Sequence, residues 1–338
     1  VTGTNRAVTR WLYSGCLLIA LLVTVGGITR LTGSGLSITE WNLLMGALPP
    51  LSDTAWQELW QKYQATPQYQ QVNTHFSLDE FKTIFWWEYI HRLLARLLGF
   101  VFLIPFAWFW ARGYFDRALR NRVLLIFGLG AFQGVLGWLM VASGLVDRPS
   151  VSHLRLAAHL MTALLTFSVT LWTALETEGR TDGPTDRVRR QHWRPLTVFA
   201  TLLVLQLTYG AFVAGLNAGG IYNTFPLMGG SLFPPGGGSL SPWIRNLFEN
   251  PATVQFIHRV LGTVLLIFGL LLWRSLRRDG LRGAGAELGG AVLLQFVLGV
   301  FTILRWPSSP VFWGAVHQAG AVVLLAATVR TLDTVRRA

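Results

Sequence analysis

Four histidines sit a few residues inside long apolar segments of this chain: His91, His159, His258 and His317. Histidine is costly at membrane depth and usually functional there, as a proton relay or a metal ligand. Four in matched positions suggest two intramembrane sites, each held by a pair of imidazoles. Two imidazoles on opposite sides of a flat macrocycle make a haem site. A bare copper or zinc ion recruits a third or fourth ligand from Cys, His or a carboxylate. The second pair has no carboxylate nearby in its segments, and the glycine-rich spacing there suits a large flat ligand. Haem is therefore expected at His258 and His317, and the first pair leaves both chemistries open.

The elements that must carry these residues are membrane helices. Hydrophobic residues make up 52% of the 338 and charged residues 13%, too apolar for an ordinary soluble domain. Eight stretches are long enough to cross a bilayer, at 9–29, 84–110, 122–143, 154–175, 195–215, 252–273, 287–304 and 311–330. The first lacks a small-residue cleavage site and is followed by further spans, so it reads as a helix and not a signal peptide. The net charge of +12 does not imply a nucleic-acid partner, because the arginines gather in alternate connections: Arg6 and Arg10, Arg112 to Arg122, Arg180 to Arg194, Arg274 to Arg282, and Arg330 to Arg337. That asymmetry predicts cytoplasmic termini. Cys16 is the sole cysteine, which excludes an intramolecular disulfide and a cysteine-based metal cluster.

The chain also repeats itself. EYIHRLLARLLG at 88–99 aligns with QFIHRVLGTVLL at 255–266, QGVLG at 133–137 with QFVLG at 295–299, and HLRLAAH at 153–159 with VFWGAVH at 311–317. Gly26 to Pro50 resembles Gly210 to Pro235, each ending in Pro-Pro. The expected fold is all-α and polytopic: eight transmembrane helices as two repeated four-helix bundles in parallel orientation, residues 1–175 and 195–338, joined by a cytoplasmic linker at 176–194. Residues 30–83 form a long outer loop with two amphipathic pieces, TAWQELWQKY and SLDEFKTIFWW, and a loop of that length suits a lid. Its counterpart is 216–250. His75 and His192 fall in hydrophilic connections and are expected to be solvated, and His153 to make a cap or loop contact.

With cytoplasmic termini, the four histidines lie about 7–10 Å below the outer boundary, one to two turns into the second, fourth, sixth and eighth spans. Facing helices of a bundle hold cofactors in this way. Arg92 and Arg259 each follow a histidine and are candidates for binding haem propionates. The alternative is snorkelling toward the headgroups. Arg96 occurs only in the first half and is weaker. Glu88 and Gln255 each stand three residues before a histidine, on the same helix face. The first site thus has an ionisable carboxyl, able in an apolar setting to pass a proton or stabilise developing positive charge, and the second has an amide. A structural role for Glu88 would be as partner of Arg92 or of a backbone cap. The asymmetry points to chemistry in the first half and electron transfer in the second.

At these residues the chain resembles the haem A synthase family, COX15/CtaA. The resemblance covers nearly the whole sequence and rests on GGITRLTGSGLSITEW at 26–41, GALPP at 46–50, FWWEYIHRLLARLLG at 85–99, HLRLAAH at 153–159, and the HR and HQ pairs at 258–259 and 317–318. The cysteine-free first loop is similar to that of the mitochondrial and proteobacterial branch. The resemblance implies oxidation of the C8 methyl of haem O to a formyl group, giving haem A for cytochrome oxidase. It implies that His91 and His159 hold the substrate haem with Glu88 as the essential carboxylate, and that His258 and His317 hold a low-spin haem b. It further implies residence in the inner (plasma) membrane, with haem O synthase and an electron donor as partners.

Two competing readings remain at this stage. A dihaem b-type cytochrome relaying electrons from quinol would use the same histidines without haem conversion. A transporter would explain the repeat, but no pair of Gly/Pro-broken spans stands in matching positions.

Overall fold

The computed structural model describes residues 3–40, 48–144, 150–179 and 185–337. Those residues are helical and contain eight helices long and apolar enough to cross a membrane: α1 (Gly3–Leu31), α4 (Leu78–Ala111), α5 (Arg117–Gly144), α6 (His153–Glu178), α7 (Asp186–Gly215), α9 (Pro251–Arg278), α10 (Arg282–Arg305) and α11 (Pro310–Arg336). Shorter helices α2 (Asp53–Gln64), α3 (Pro67–Gln71) and α8 (Asn246–Glu249) lie in the two long loops. With eight crossings both chain ends reach one side, the terminal face. The described residues between α1 and α4, and those between α7 and α9, lie at the other, the loop face.

Two sequence expectations change. SLDEFKTIFWW is no separate piece: Ser77 caps α4, its side chain receiving the Glu80 N–H while Glu80 Oε2 accepts the Ser77 N–H at 2.7 Å, and the helix runs unbroken from Leu78. Most of the expected linker is helix as well, since α7 starts at Asp186. His192 therefore lies inside a helix and is 2% exposed, with Nε2 2.7 Å from Asp279 Oδ2 at the end of α9. It is not solvated. Residues 41–47, which include part of GALPP, and 180–184 of the linker lie outside the described residues.

Helices α1, α6, α7 and α11 meet at the centre, where Ile19, Val23, Phe167, Phe199, Leu203 and Val322 form the main apolar core. Helices α4 and α5 flank this group on one side, and α9 and α10 on the other. Lipid is as apolar as leucine, so such helices associate by close packing and interhelical hydrogen bonds. Gln318 of α11 shows both: its Nε2 donates to the Val23 carbonyl of α1 at 2.7 Å, and its amide lies directly against Gly27. At the terminal face Glu176 pairs with Arg122 and Arg336, and Arg336 lies over the Trp172 ring at 4.6 Å.

The chain leaves α1 and α7 in the same way. Gly33 (φ 69°) and Asn217 (φ 53°) take the left-handed conformation, and each is followed by a single 3-10 turn, Ser34–Leu36 and Ala218–Gly220.

Candidate active site

His258 and His317 face each other from α9 and α11, each seven residues beyond the proline that starts its helix. Their ring centres are 6.3 Å apart and the planes are nearly perpendicular, at 88°. An imidazole nitrogen binds a metal at about 2 Å and lies about 1 Å from its ring centre, so two axial imidazoles on one iron have centres about 6 Å apart. The observed spacing suits that arrangement. Each ring backs onto a glycine. A Cβ on Gly210 of α7 would lie 3.1 Å from His258 Cε1, and one on Gly299 of α10 would lie 3.0 Å from His317 Cε1. Gln295 Nε2 donates to the His317 carbonyl at 3.0 Å and stands 3.2 Å from its Nδ1, while Gln206 Nε2 is 3.4 Å from His258 Nε2.

The first pair is built from corresponding parts. His91 of α4 and His159 of α6 lie within electrostatic reach of each other. His91 backs onto Gly26 of α1, where a Cβ would come within 2.9 Å of Cε1. Gln133 Nε2 of α5 donates to the His159 carbonyl at 2.8 Å, as Gln295 does to His317. The Nδ1 atoms of His91, His159 and His258 are buried with no hydrogen-bond partner. Buried polar atoms are normally satisfied, so these rings have capacity for a ligand. Among the described residues no group of three His, Cys, Asp or Glu could hold a bare metal ion. The opposed rings of the second pair, the glycines against His91, His258 and His317, and the unpartnered nitrogens of His91, His159 and His258 fit haem.

Glu88 is 2% exposed, one turn from His91. Its setting differs from the apolar one expected. Oε2 accepts from Ser37 Oγ at 2.7 Å and from the Ile38 N–H at 2.9 Å; Oε1 accepts from Arg92 Nε at 3.0 Å and Nη2 at 2.5 Å. The carboxylate is thus both the partner of Arg92 and the cap of the chain leaving the Ser34–Leu36 turn. Gln255, 1% exposed, has a simpler role, its Nε2 donating to the Tyr222 carbonyl at 3.1 Å.

Arg92 and Arg259 do not snorkel into open solvent. Arg92 donates to the carbonyls of Ile38 and Glu40, each at 2.9 Å, and Arg259 to those of Tyr222 and Thr224, each at 2.7 Å. Each guanidinium pins the loop that follows the helix bearing the glycine partner of the adjacent histidine. Arg30 ties α1 to the end of α7 through the Gly215 carbonyl at 2.9 Å and Asn217 Oδ1 at 3.1 Å. His153 opens α6 and packs edge-on against Phe212 at 5.8 Å, a packing contact and no part of either pair.

Over the first pair, α2 and α3 rest on the extended start of α4 through Trp56, Trp60, Tyr63, Tyr69, Phe81 and Phe85. Burial pushes the Tyr63 phenol up from its ordinary value. It donates to Gln68 Oε1 at 3.3 Å and accepts from Asn73 Nδ2 at 2.8 Å.

The glycines, Gln133, Gln206, Gln295 and Ser37 were not among the residues singled out from sequence. The repeat carried a signal for some of them, since Gly26 aligns with Gly210 and Gln133 with Gln295.

Residues 9–329 match the family described as cytochrome oxidase assembly protein, COX15-CtaA. The chain is 45% identical over 325 residues to a protein of Parvibaculum lavamentivorans named heme A synthase, covering 96% of this chain and 93% of the relative. It is 44% identical to the heme A synthase of Nitrosospira multiformis (98% and 94% covered) and 41% identical to that of Nitrosomonas eutropha (97% and 93% covered). By matched length, and by the identity of these relatives along nearly their whole chains, this protein belongs to the COX15-CtaA family.

Proposed function

We propose that the chain is a membrane oxidoreductase that converts haem O to haem A by oxidising the C8 methyl to a formyl group, for use in cytochrome oxidase. The observation that carries this is the pairing of two similar histidine sites with a buried carboxylate, Glu88, at the first and a buried amide, Gln255, at the matching position of the second. His91 and His159 hold the substrate haem. His258 and His317 hold a resident haem b, which supplies one-electron chemistry when bound.

The rest follows from the chain's own groups. Gly26, Gly210 and Gly299 leave the rings room to face a macrocycle, and the glutamines fix the helices behind them. Glu88 holds a carboxylate one turn from His91, where it stabilises positive charge developing as the methyl is oxidised and can exchange a proton. Ser37 and Arg92 fix its orientation. Arg92 and Arg259, at matching junctions of helix and loop, are the cationic groups for propionates.

The same residues support two repeated four-helix bundles, 1–175 and 195–338, joined through 176–194. The helix exits, the histidine–glycine contacts and the arginine clamps all recur at matching positions. The arginine distribution supports cytoplasmic termini in the inner (plasma) membrane, with both sites near the outer face. A haem O synthase and an electron donor are the expected partners.

The test is an optical spectrum and haem chromatography of protein made with and without a supply of haem O. Haem A or its hydroxylated precursor, appearing only with haem O, is expected. Haem b alone at both sites would favour an electron relay and overturn the proposal.

A further inference from the structure

The two halves differ in how their flanking helices close. Helices α9 and α10 pack along their lengths. Gly269 receives Val292, with the contact a Cβ would make at 2.8 Å, and Gly289 receives the Trp273 ring at 2.6 Å. Among the described residues, the corresponding α4 and α5 have few close backbone approaches. They meet through rings toward the terminal face, Phe106 with Phe127 at 4.7 Å and Phe102 with Phe127 at 6.2 Å. Toward the loop face α4 is held by α1, where Thr29 Oγ1 donates to the Trp87 carbonyl at 3.3 Å, and α5 by α6 through Gln133, while the Ser34–Leu36 turn touches both.

Helical periodicity shows what lines the gap. Gly99 lies two turns before Phe106 on the same face of α4, and Gly134 two turns after Phe127 on the same face of α5. A Cβ at either position would meet no atom within 4 Å. Their counterparts in the sequence repeat are Leu266 and Phe296. The seam of the second half therefore carries two large side chains where that of the first carries none. Gly134 adjoins Gln133, whose amide donates to the His159 carbonyl, so the slot runs beside the helix turn that carries one ring of the first pair, whose Nδ1 atoms are buried and unpartnered.

Resting on the function proposed above, we infer that the slot between α4 and α5 is a lateral port for the substrate haem and holds its long isoprenoid chain. A resident cofactor can be sealed in, but a substrate and its product must exchange at every turnover. The slot is apolar, opens to lipid, and runs beside the pair that must exchange its ligand. A free lipid acyl chain shares this chemistry, and the test below separates the two.

The experiment installs the residues of the second half, Gly99→Leu with Gly134→Phe, in the full-length protein in liposomes. Haem bound at the first site is measured with haem O and with haem b, which lacks the isoprenoid chain. Loss of haem O binding and turnover is expected, with the His258/His317 haem b spectrum retained as the sign of a folded protein. Unchanged haem O binding and turnover would overturn the inference and make the slot a lipid-filled seam. If the double variant loses its haem b, Gly99→Cys with Gly134→Cys, bridged by a flexible bismaleimide after folding, replaces it. Turnover should stop on bridging, and continued turnover in the bridged protein again overturns the port. Failure of the unsubstituted protein to oxidise haem O would instead sink the proposed function.

Discussion

Glu88 and Arg92 form an ion pair of 2.5 Å across one turn of α4, and both also bind the loop above them. Glu88 is therefore a loop anchor as well as a buried carboxylate one turn from His91. Glu88→Gln separates these roles. Arg92 keeps its bonds to the Ile38 and Glu40 carbonyls, so the protein should fold and retain haem b. The amide cannot carry negative charge, so conversion of haem O should fall mainly in kcat, with haem O or a hydroxylated intermediate accumulating. Haem A formed at the normal rate would make the carboxylate purely structural.

Replacing either His258 or His317 with Ala should abolish the low-spin haem b spectrum. The rings are opposed at 6.3 Å, and no other histidine, cysteine or carboxylate makes up a ligand group with them among the described residues. Haem b content unchanged in both variants would refute the assignment.

The histidine–glycine contacts allow a subtler test. Gly210→Ala places a methyl 3.1 Å from His258 Cε1, and Gly26→Ala places one 2.9 Å from His91 Cε1. Each should disturb its own site by displacing the ring a few tenths of an ångström. Retention of haem b should weaken about tenfold or more in Gly210→Ala, the scale of changes to groups that orient metal ligands. Gly26→Ala should leave haem b in place and reduce haem O binding. Haem titrations of both variants decide it, and identical effects on both sites would contradict the local reading.

Orientation is open to direct labelling. Cysteines introduced in the 30–83 and 216–250 loops should react with an impermeant reagent added from outside, and one near Arg187 should not. The native Cys16 is buried in α1 and should give little background. The reverse pattern would invert the topology and place both haem sites toward the cytoplasm.

The spans and the histidines were legible in the sequence because length, hydropathy and the cost of polar groups in lipid act on each segment separately. What could not be read depends on which helix faces which. His192 looked solvated because its neighbours are polar, yet α7 starts early enough to bring it against Asp279. Arg92 and Arg259 stood out as propionate candidates, but their additional bonds to loop carbonyls needed the fold of the loops. The surroundings of Glu88 come from Ser37 and Ile38, about 50 residues earlier, which the apolar run of its own segment does not reveal. The glycines behind the rings stood in the repeat, but glycine has too many uses in membrane helices for alignment alone to assign this one.

Gly26 and Gly27 are neighbours on α1, and they serve opposite halves. The first is the floor beneath His91, and the second is the seat of Gln318, which adjoins His317. One peptide unit thus registers the two histidine sites to each other. Their spacing is set by bonded geometry along a single helix as well as by the looser packing between halves. Thermal rocking of one half against the other would have to break the Gln318–Val23 bond before it could change that spacing. For the electron transfer proposed between the two sites, this contact is a fixed ruler.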